Sequence, residues 1–347
     1  MTRRKPFEIA GRSIPAGLRA TVDLPVTVQS DHTPVNLSVH VIHGAKDGPT
    51  MFVSAGVHGD EVIGVEVVRR LLRVQSLNRL NGTLLVVPIV NSFGFQSHSR
   101  YLPDRRDLNR SFPGHPTGSL ASRLAHIFLN EVVMRAELGI DLHSAAVHRT
   151  NLPQIRISPD SERLMTLAKS FGAPVIMTSK LRDGSLRGVA KDRGVDMLLY
   201  EAGEGLRFDE MAVRTGVAGI LRVMRDLNMI PKKGVPVTKA PPMISRSSSW
   251  TRAPMGGLMR TFKRRGEVVN EGDILGLISD PFGEKEAEIL AEDSGIIVGR
   301  AVMPVVNEGD AIYHIAQIKR PEAAGETVEQ LNAELMAAPM FDEDEII

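Results

Sequence analysis

Thr50-Met51-Phe52-Val53-Ser54-Ala55-Gly56-Val57-His58-Gly59-Asp60-Glu61 runs from a largely apolar stretch into a glycine-bracketed turn, and a helical pattern begins near Glu61. An apolar run of that length, closed by a turn, reads as a buried strand. A His and a Glu three apart on a turn that opens a helix can face one point. An imidazole nitrogen and a carboxylate oxygen held that way are two ligands for zinc. The competing reading is a surface His next to a Glu favoured by the helix dipole. A His-x-x-Glu pair also arises readily by chance in a chain with ten His. The metal reading of His58 and Glu61 therefore depends on the strand–turn–helix setting and on partners elsewhere.

The same alternation continues along the chain. Buried-strand candidates fall at 50–55, 83–90, 138–142, 173–178 and 196–200, and helical patterns at 62–73, 119–135, 160–171 and 209–227. Strands alternating with helices predict an α/β sheet covered on both faces. Residues 5–45 alternate apolar and polar positions, as in Asn36-Leu37-Ser38-Val39-His40-Val41-Ile42, and predict edge or antiparallel strands. The sheet is then mixed. Ligands in such folds bind at the carboxyl ends of strands, and both His58 and His143 follow the apolar part of one.

Pro231 to Pro254 breaks the composition with Lys232, Lys233, Pro236, Pro241, Pro242 and the run Ser245–Ser249, which predicts a linker over 236–254. Beyond it, Val268-Val269-Asn270-Glu271-Gly272-Asp273 recurs as Val305-Val306-Asn307-Glu308-Gly309-Asp310. Each copy is preceded by a Gly with apolar residues and followed by an apolar strand candidate. Two equivalent strand–turn–strand units predict a small pseudo-symmetric β domain over 255–325, resembling a biotinyl/lipoyl-type sandwich. Lys285 lies between the halves but lacks the flanking Met residues of a biotinylated lysine, which favours an unmodified structural lid. A C-terminal helix and a frayed acidic tail are expected over 326–347.

The chain has 347 residues, enough for an expected α/β domain over 1–235 and the β domain. A net charge of +1 gives no global attraction to nucleic acid or to an anionic membrane. With no cysteine, disulfides are impossible and a zinc site must use His, Asp or Glu. No segment has the apolar length of a signal peptide or a membrane span, so a cytoplasmic protein, with a homo-oligomer left open, is the expectation.

A third ligand is best placed at His143 in Gly139-Ile140-Asp141-Leu142-His143, where a strand end can aim it at the turn carrying His58. His98 and His148 are the alternatives. Two His and one Glu leave a zinc position open for water. In Asp107-Leu108-Asn109-Arg110, the Arg110 guanidinium matches a carboxylate bidentately, Asn109 adds an amide donor, and Asp107 suits the outer nitrogen of a ligand His. An exposed Asp-turn with a surface Arg is the plain alternative. Glu201 directly ends the apolar run at Leu198-Leu199-Tyr200 and is placed to exchange a proton with a zinc-bound water. Glu204 lies past Gly203 and reads as solvated. Arg100, Arg105, Arg106 and Arg110 form a local basic cluster, either a solvated loop or a site for an anionic substrate.

Gly-Val-His-Gly-Asp-Glu at 56–61, Arg-Asp-Leu-Asn-Arg at 106–110, Asp-Leu-His at 141–143 and Tyr-Glu-Ala-Gly-Glu at 200–204 together resemble the succinylglutamate desuccinylase/aspartoacylase family, a branch of the zinc carboxypeptidase-like superfamily. The likeness covers roughly 50–230, and the C-terminal β domain is also a family feature. It implies one Zn2+ per chain on His58, Glu61 and His143, Asn109 and Arg110 on the substrate carboxylate, and Glu201 as general base and acid. It further implies that Arg100 polarises the scissile carbonyl and that Arg187 contacts the acyl or side-chain end. The spacing departs from the family around Arg100, where Arg105 and Arg106 intervene. The reaction implied is cleavage of the amide bond of a small N-acyl amino acid, with nucleic acid and membranes not among the partners. A zinc carboxypeptidase and a non-catalytic, metal-stabilised binding protein are the alternatives, and only the catalysts require Glu201.

Overall fold

Four parallel strands form the centre of the molecule: Asn81–Val87, Lys46–Ala55, Leu138–Ala145 and Asp196–Glu204, in that spatial order. The computed structural model describes residues 4–159, 161–235, 238, 241–318, 329–330 and 333–334. Antiparallel strands extend the sheet at both sides. Pro34–His43 and Leu18–Val28 lie beyond Asn81–Val87, and Arg149–Ile157 lies beyond Asp196–Glu204. Every residue of Leu138–Ala145 is buried, as a central strand covered on both faces requires.

Side chains that alternate along each strand feed two separate cores. Val53, Leu84, Ile140 and Leu198 face the helices Ile63–Leu71, Glu162–Phe171 and Glu210–Asp226, through Val67, Leu167 and Ile220 among others. Phe52, Leu85 and Met197 face Leu120–Glu131 and Leu186–Asp192, through Phe128 and Leu186. Ser119, Ser161, Ser185 and Asp209 each accept a backbone N–H at a helix start, so these helices begin where a side chain satisfies an otherwise orphaned donor.

Both copies of the repeat form a strand, a turn and a second strand. Val268–Val269 and Val305–Val306 are short strands, and each runs into the same side-chain-closed turn: Asp273 accepts the N–H of Asn270 at 2.9 Å, and Asp310 that of Asn307 at 2.8 Å. Ile274–Ser279 and Ala311–Ala316 follow the turns. The two halves close a core containing Leu275, Ile278, Ile297, Ile312 and Tyr313. The segment around Lys285 closes a turn in which Asp280 donates its N–H to the Lys285 carbonyl at 3.0 Å.

The expected linker differs from what forms. Met243–Ser245 pairs with Val175–Thr178, and Ser248–Arg252 pairs with Ala311–Ala316, so 243–245 and 248–252 belong to the sheet. These short edge strands carry little apolar pattern, so composition alone conceals them. The β domain is also continuous with the main sheet. Gly295–Ala301 pairs antiparallel with Arg149–Ile157, and Leu152, Val175, Met177, Ile296 and Val298 form one small core across the junction. In the expected C-terminal helix, residues 329–330 and 333–334 are helical. The expected acidic tail lies outside the described residues. Among the described residues, no helix is long and apolar enough to cross a membrane.

Candidate metal centre and active site

The turn after Lys46–Ala55 packs tightly enough to fix its direction. A Cβ on Gly59 would meet the Gly94 carbonyl carbon at 1.9 Å, so only glycine lets this turn lie on the Ser92–Gln96 helix. Glu61 donates its N–H to the His58 carbonyl and precedes the helix, which starts at Ile63 rather than at Glu61. His58, Glu61 and His143 are brought together in the buried interior, with one ligand atom from each within 4.8 Å of the others. His58 Nδ1 lies 2.7 Å from Glu61 Oε1, and His143 Nδ1 lies 2.7 Å from Glu61 Oε2. His98 and His148 are exposed and lie outside the cluster.

Each ring has a carboxylate on its outer nitrogen. His58 Nε2 is 3.0 Å from Asp107 Oδ1, and His143 Nε2 is 2.8 Å from Asp141 Oδ2. Ser54 donates to the other oxygen of Asp141 at 2.7 Å. These partners favour a proton on Nε2 and leave the Nδ1 lone pairs facing inward. Two imidazole lone pairs and a carboxylate then converge on one buried point, a donor set that fits a divalent cation. Glu61 and the two histidines also stabilise one another's charged forms. Burial opposes ionisation of Glu61, but His58 and His143 outweigh it and hold the carboxyl well below its usual range. Burial likewise disfavours a charged His143, but Asp141 and Glu61 outweigh it and raise its pKa well above the ordinary value.

The cluster opens into a cavity of about 440 Å³. Arg100 reaches it from the loop, donating to Glu61 at 3.2 Å and to Asp107 at 3.1 Å. Arg110 and Asn109 line the cavity. The Asn109 amide oxygen accepts the Leu186 N–H at 2.9 Å, so its NH₂ is the end left for a ligand. Arg187 also lines the cavity, from the first turn of Leu186–Asp192. It donates to Ser179 Oγ at 2.8 Å, while its buried Nη1 has no partner. Burial, reinforced by Arg156, lowers its pKa to about 10, which leaves it charged near neutrality. Arg105 and Arg106 are exposed and do not line the cavity.

Glu201 faces the same cavity. Leu199 and Glu201 share one face of their strand, while Tyr200 turns to the opposite core and donates to the Ala212 carbonyl at 2.6 Å. The strand is irregular just past Glu201, where its pairing with both neighbours shifts register. Such bulges re-aim side chains beside active sites. Glu204 is turned away, accepting the His148 N–H at 3.1 Å, and does not line the cavity.

Sequence reasoning passed over Asp141, Asn151, Arg156 and Trp250, all of which line the cavity. Asp141 had a signal, because it shares a strand face with His143 at a spacing of two. Asn151 and Arg156 had little, because Pro153 and five polar residues obscure the strand that carries them. Trp250 had none in local pattern, because it arrives from the β domain.

A family model described as the succinylglutamate desuccinylase/aspartoacylase catalytic domain matches residues 47–227. The chain is 27% identical to the N-alpha-acetyl-L-2,4-diaminobutyric acid deacetylase of Halomonas elongata, over 89% of this chain and 97% of that one. It is 31% identical to the succinylglutamate desuccinylase of Pseudomonas aeruginosa, over 34% of this chain and 38% of that one. The fold is similar to a crystal structure of a succinylglutamate desuccinylase/aspartoacylase from Rhodobacter sphaeroides, with a TM-score of 0.76, 26% identity and coverage of 86% and 96% of the two chains. It is also similar in fold to the product-bound ectoine utilization protein EutE (DoeB) from Ruegeria pomeroyi, with a TM-score of 0.77, 22% identity and coverage of 86% and 94%.

Proposed function

Because the chain belongs to the succinylglutamate desuccinylase/aspartoacylase family, we propose that it is a zinc-dependent deacylase of small N-acyl amino acids. The observation that carries this reading is Glu201, a carboxylate lining the same cavity as the buried His58, Glu61 and His143 cluster. A zinc ion held by these three would supply Lewis acidity, lowering the pKa of a water and polarising a carbonyl. Glu201 takes a proton from that water as it attacks the amide carbon. When the C–N bond breaks, Glu201 returns the proton to the leaving nitrogen. The products are a carboxylic acid and an amino acid.

The other side chains orient the substrate. Asn109 and Arg110 hold its α-carboxylate, through an amide donor and a planar fork. Arg100 lies close enough to the cluster to polarise the scissile carbonyl. Arg187 directs its unpaired Nη1 toward the acyl or side-chain end. The cavity is rich in guanidinium groups, including Arg149, Arg156 and Arg182, which suits an anionic substrate. Trp250 from the β domain forms part of the wall, which favours a small molecule over an extended peptide.

The test is metal analysis of the purified protein followed by hydrolysis assays on Nα-acetyl-L-2,4-diaminobutyrate, N-succinyl-L-glutamate and a dipeptide. About one zinc per chain and turnover of an N-acyl amino acid in preference to the dipeptide are expected. Preferred cleavage of the dipeptide would favour a carboxypeptidase. Bound zinc without turnover of any of them would favour a metal-stabilised binding protein.

A further inference from the structure

Asn151 sits in a notch that two domains build around it. It is buried, at 6% exposure, on the Arg149–Ile157 strand. Its neighbours across the sheet are Gly203 on the Glu201 strand and Gly299 in the β domain. Its Nδ2 donates to Glu201 Oε2 at 2.9 Å. On the other side, a Cβ on Gly299 would approach Asn151 Oδ1 to 2.7 Å. The space for this amide therefore exists because the β domain offers a glycine there. Arg265, also from the β domain, donates to the Asn151 carbonyl at 3.0 Å and to Thr150 Oγ1 at 2.9 Å, and pairs with Asp209. Asp209 caps Glu210–Asp226, so the contact ties the β domain to the hydrolase core at the level of Asn151.

We propose that Asn151 is a positioning residue for Glu201, and that the C-terminal β domain holds it in place through Gly299 and Arg265. This rests on the reading of Glu201 as the acid/base. A proton carrier must stay aligned with its donor and acceptor, and displacement by about 1 Å can cost on the order of 10²-fold in rate. A neutral amide on one carboxylate oxygen restrains rotation without the strong pairing of a cation. The other oxygen, Oε1, is ion-paired with Arg156 Nη1 at 3.6 Å, beyond hydrogen-bond distance. That oxygen is therefore the one available to exchange a proton. On this account the β domain is part of the catalytic apparatus and not a detachable cover.

The test uses the full chain and the better substrate of Nα-acetyl-L-2,4-diaminobutyrate and N-succinyl-L-glutamate. Asn151→Ala and the isosteric Asn151→Asp should each lower kcat by about 10–100-fold, with KM within a few-fold and with zinc content and thermal midpoint near wild type. Gly299→Ala, which crowds the amide, should lower kcat alone but cost nothing further in the Asn151→Ala background. Such non-additivity marks two residues acting through one contact. A folded, zinc-loaded Asn151→Ala with wild-type kcat, in an enzyme that Glu201→Gln inactivates, would overturn the proposal. So would full additivity of Gly299→Ala. If Glu201→Gln itself remains active, the acid/base reading fails first, and the proposal fails with it.

Discussion

Asp141 takes the outer ring nitrogen of His143 at 2.8 Å, two residues away on the same face of the central strand. The candidate ligand histidine is thereby fixed by its own strand, with Ser54 from the neighbouring strand steadying the carboxylate. Outer partners of this kind typically contribute 10–100-fold to metal affinity. Asp141→Asn should weaken zinc binding by roughly that factor, measured by competition with a chelator of known affinity. Unchanged affinity would show that the contact orients nothing.

Removal of a ligand should have a larger effect. His58→Ala and His143→Ala each leave two of three protein ligands, too few for a stable mononuclear site. Elemental analysis should find little zinc in either variant. Stoichiometric zinc in both would place the metal elsewhere.

Arg110 is expected to contribute as a fork and not merely as a charge. A hydrogen bond to a charged group is worth roughly 1.5–3 kcal/mol. An N-acyl amino acid should therefore be a much better substrate than its carboxamide, and Arg110→Lys should narrow the gap. If the wild type turns over the two equally well, Arg110 has some other role.

His314 makes the fold sensitive to acid. It stacks on Trp250 with ring centroids 4.6 Å apart, and burial, with a smaller effect from Arg156, lowers its pKa to about 3. In the unfolded chain the ring would titrate near 6.5. Above that pH neither state binds the proton. Between about 6.5 and 3 only the unfolded chain does, so stability falls as pH falls through that window. His314→Gln should remove this loss and move acid unfolding, followed by circular dichroism, to lower pH. An unchanged acid midpoint would mean that the ring is protonated in the fold.

The legible parts of the molecule are those with period and order. The parallel strands and their helices carry uninterrupted apolar periodicity, and the β-domain turns are written twice, at Asp273 and Asp310. His58 and Glu61 could be placed because they follow a strand, and His143 because it sits near the end of one. What stayed hidden depends on the third dimension. Arg149–Ile157 carries polar residues at Arg149, Thr150, Asn151, Gln154 and Arg156 because it lines a cavity and bridges two domains, and those roles erase its pattern. Ser248–Arg252 looked like linker because an edge strand needs few apolar residues.

The most direct test of the proposed chemistry compares two glutamates three residues apart. Glu201 lines the cavity, whereas Glu204 caps the His148 N–H and lies 3.5 Å from Arg207 Nε. A positioned acid/base contributes on the order of 10²–10⁴ in rate. Turnover of the best N-acyl amino acid should fall by at least that much in Glu201→Gln, with zinc content and fold retained, and stay within a few-fold of wild type in Glu204→Gln. A zinc-loaded, folded Glu201→Gln of nearly normal turnover would contradict the account.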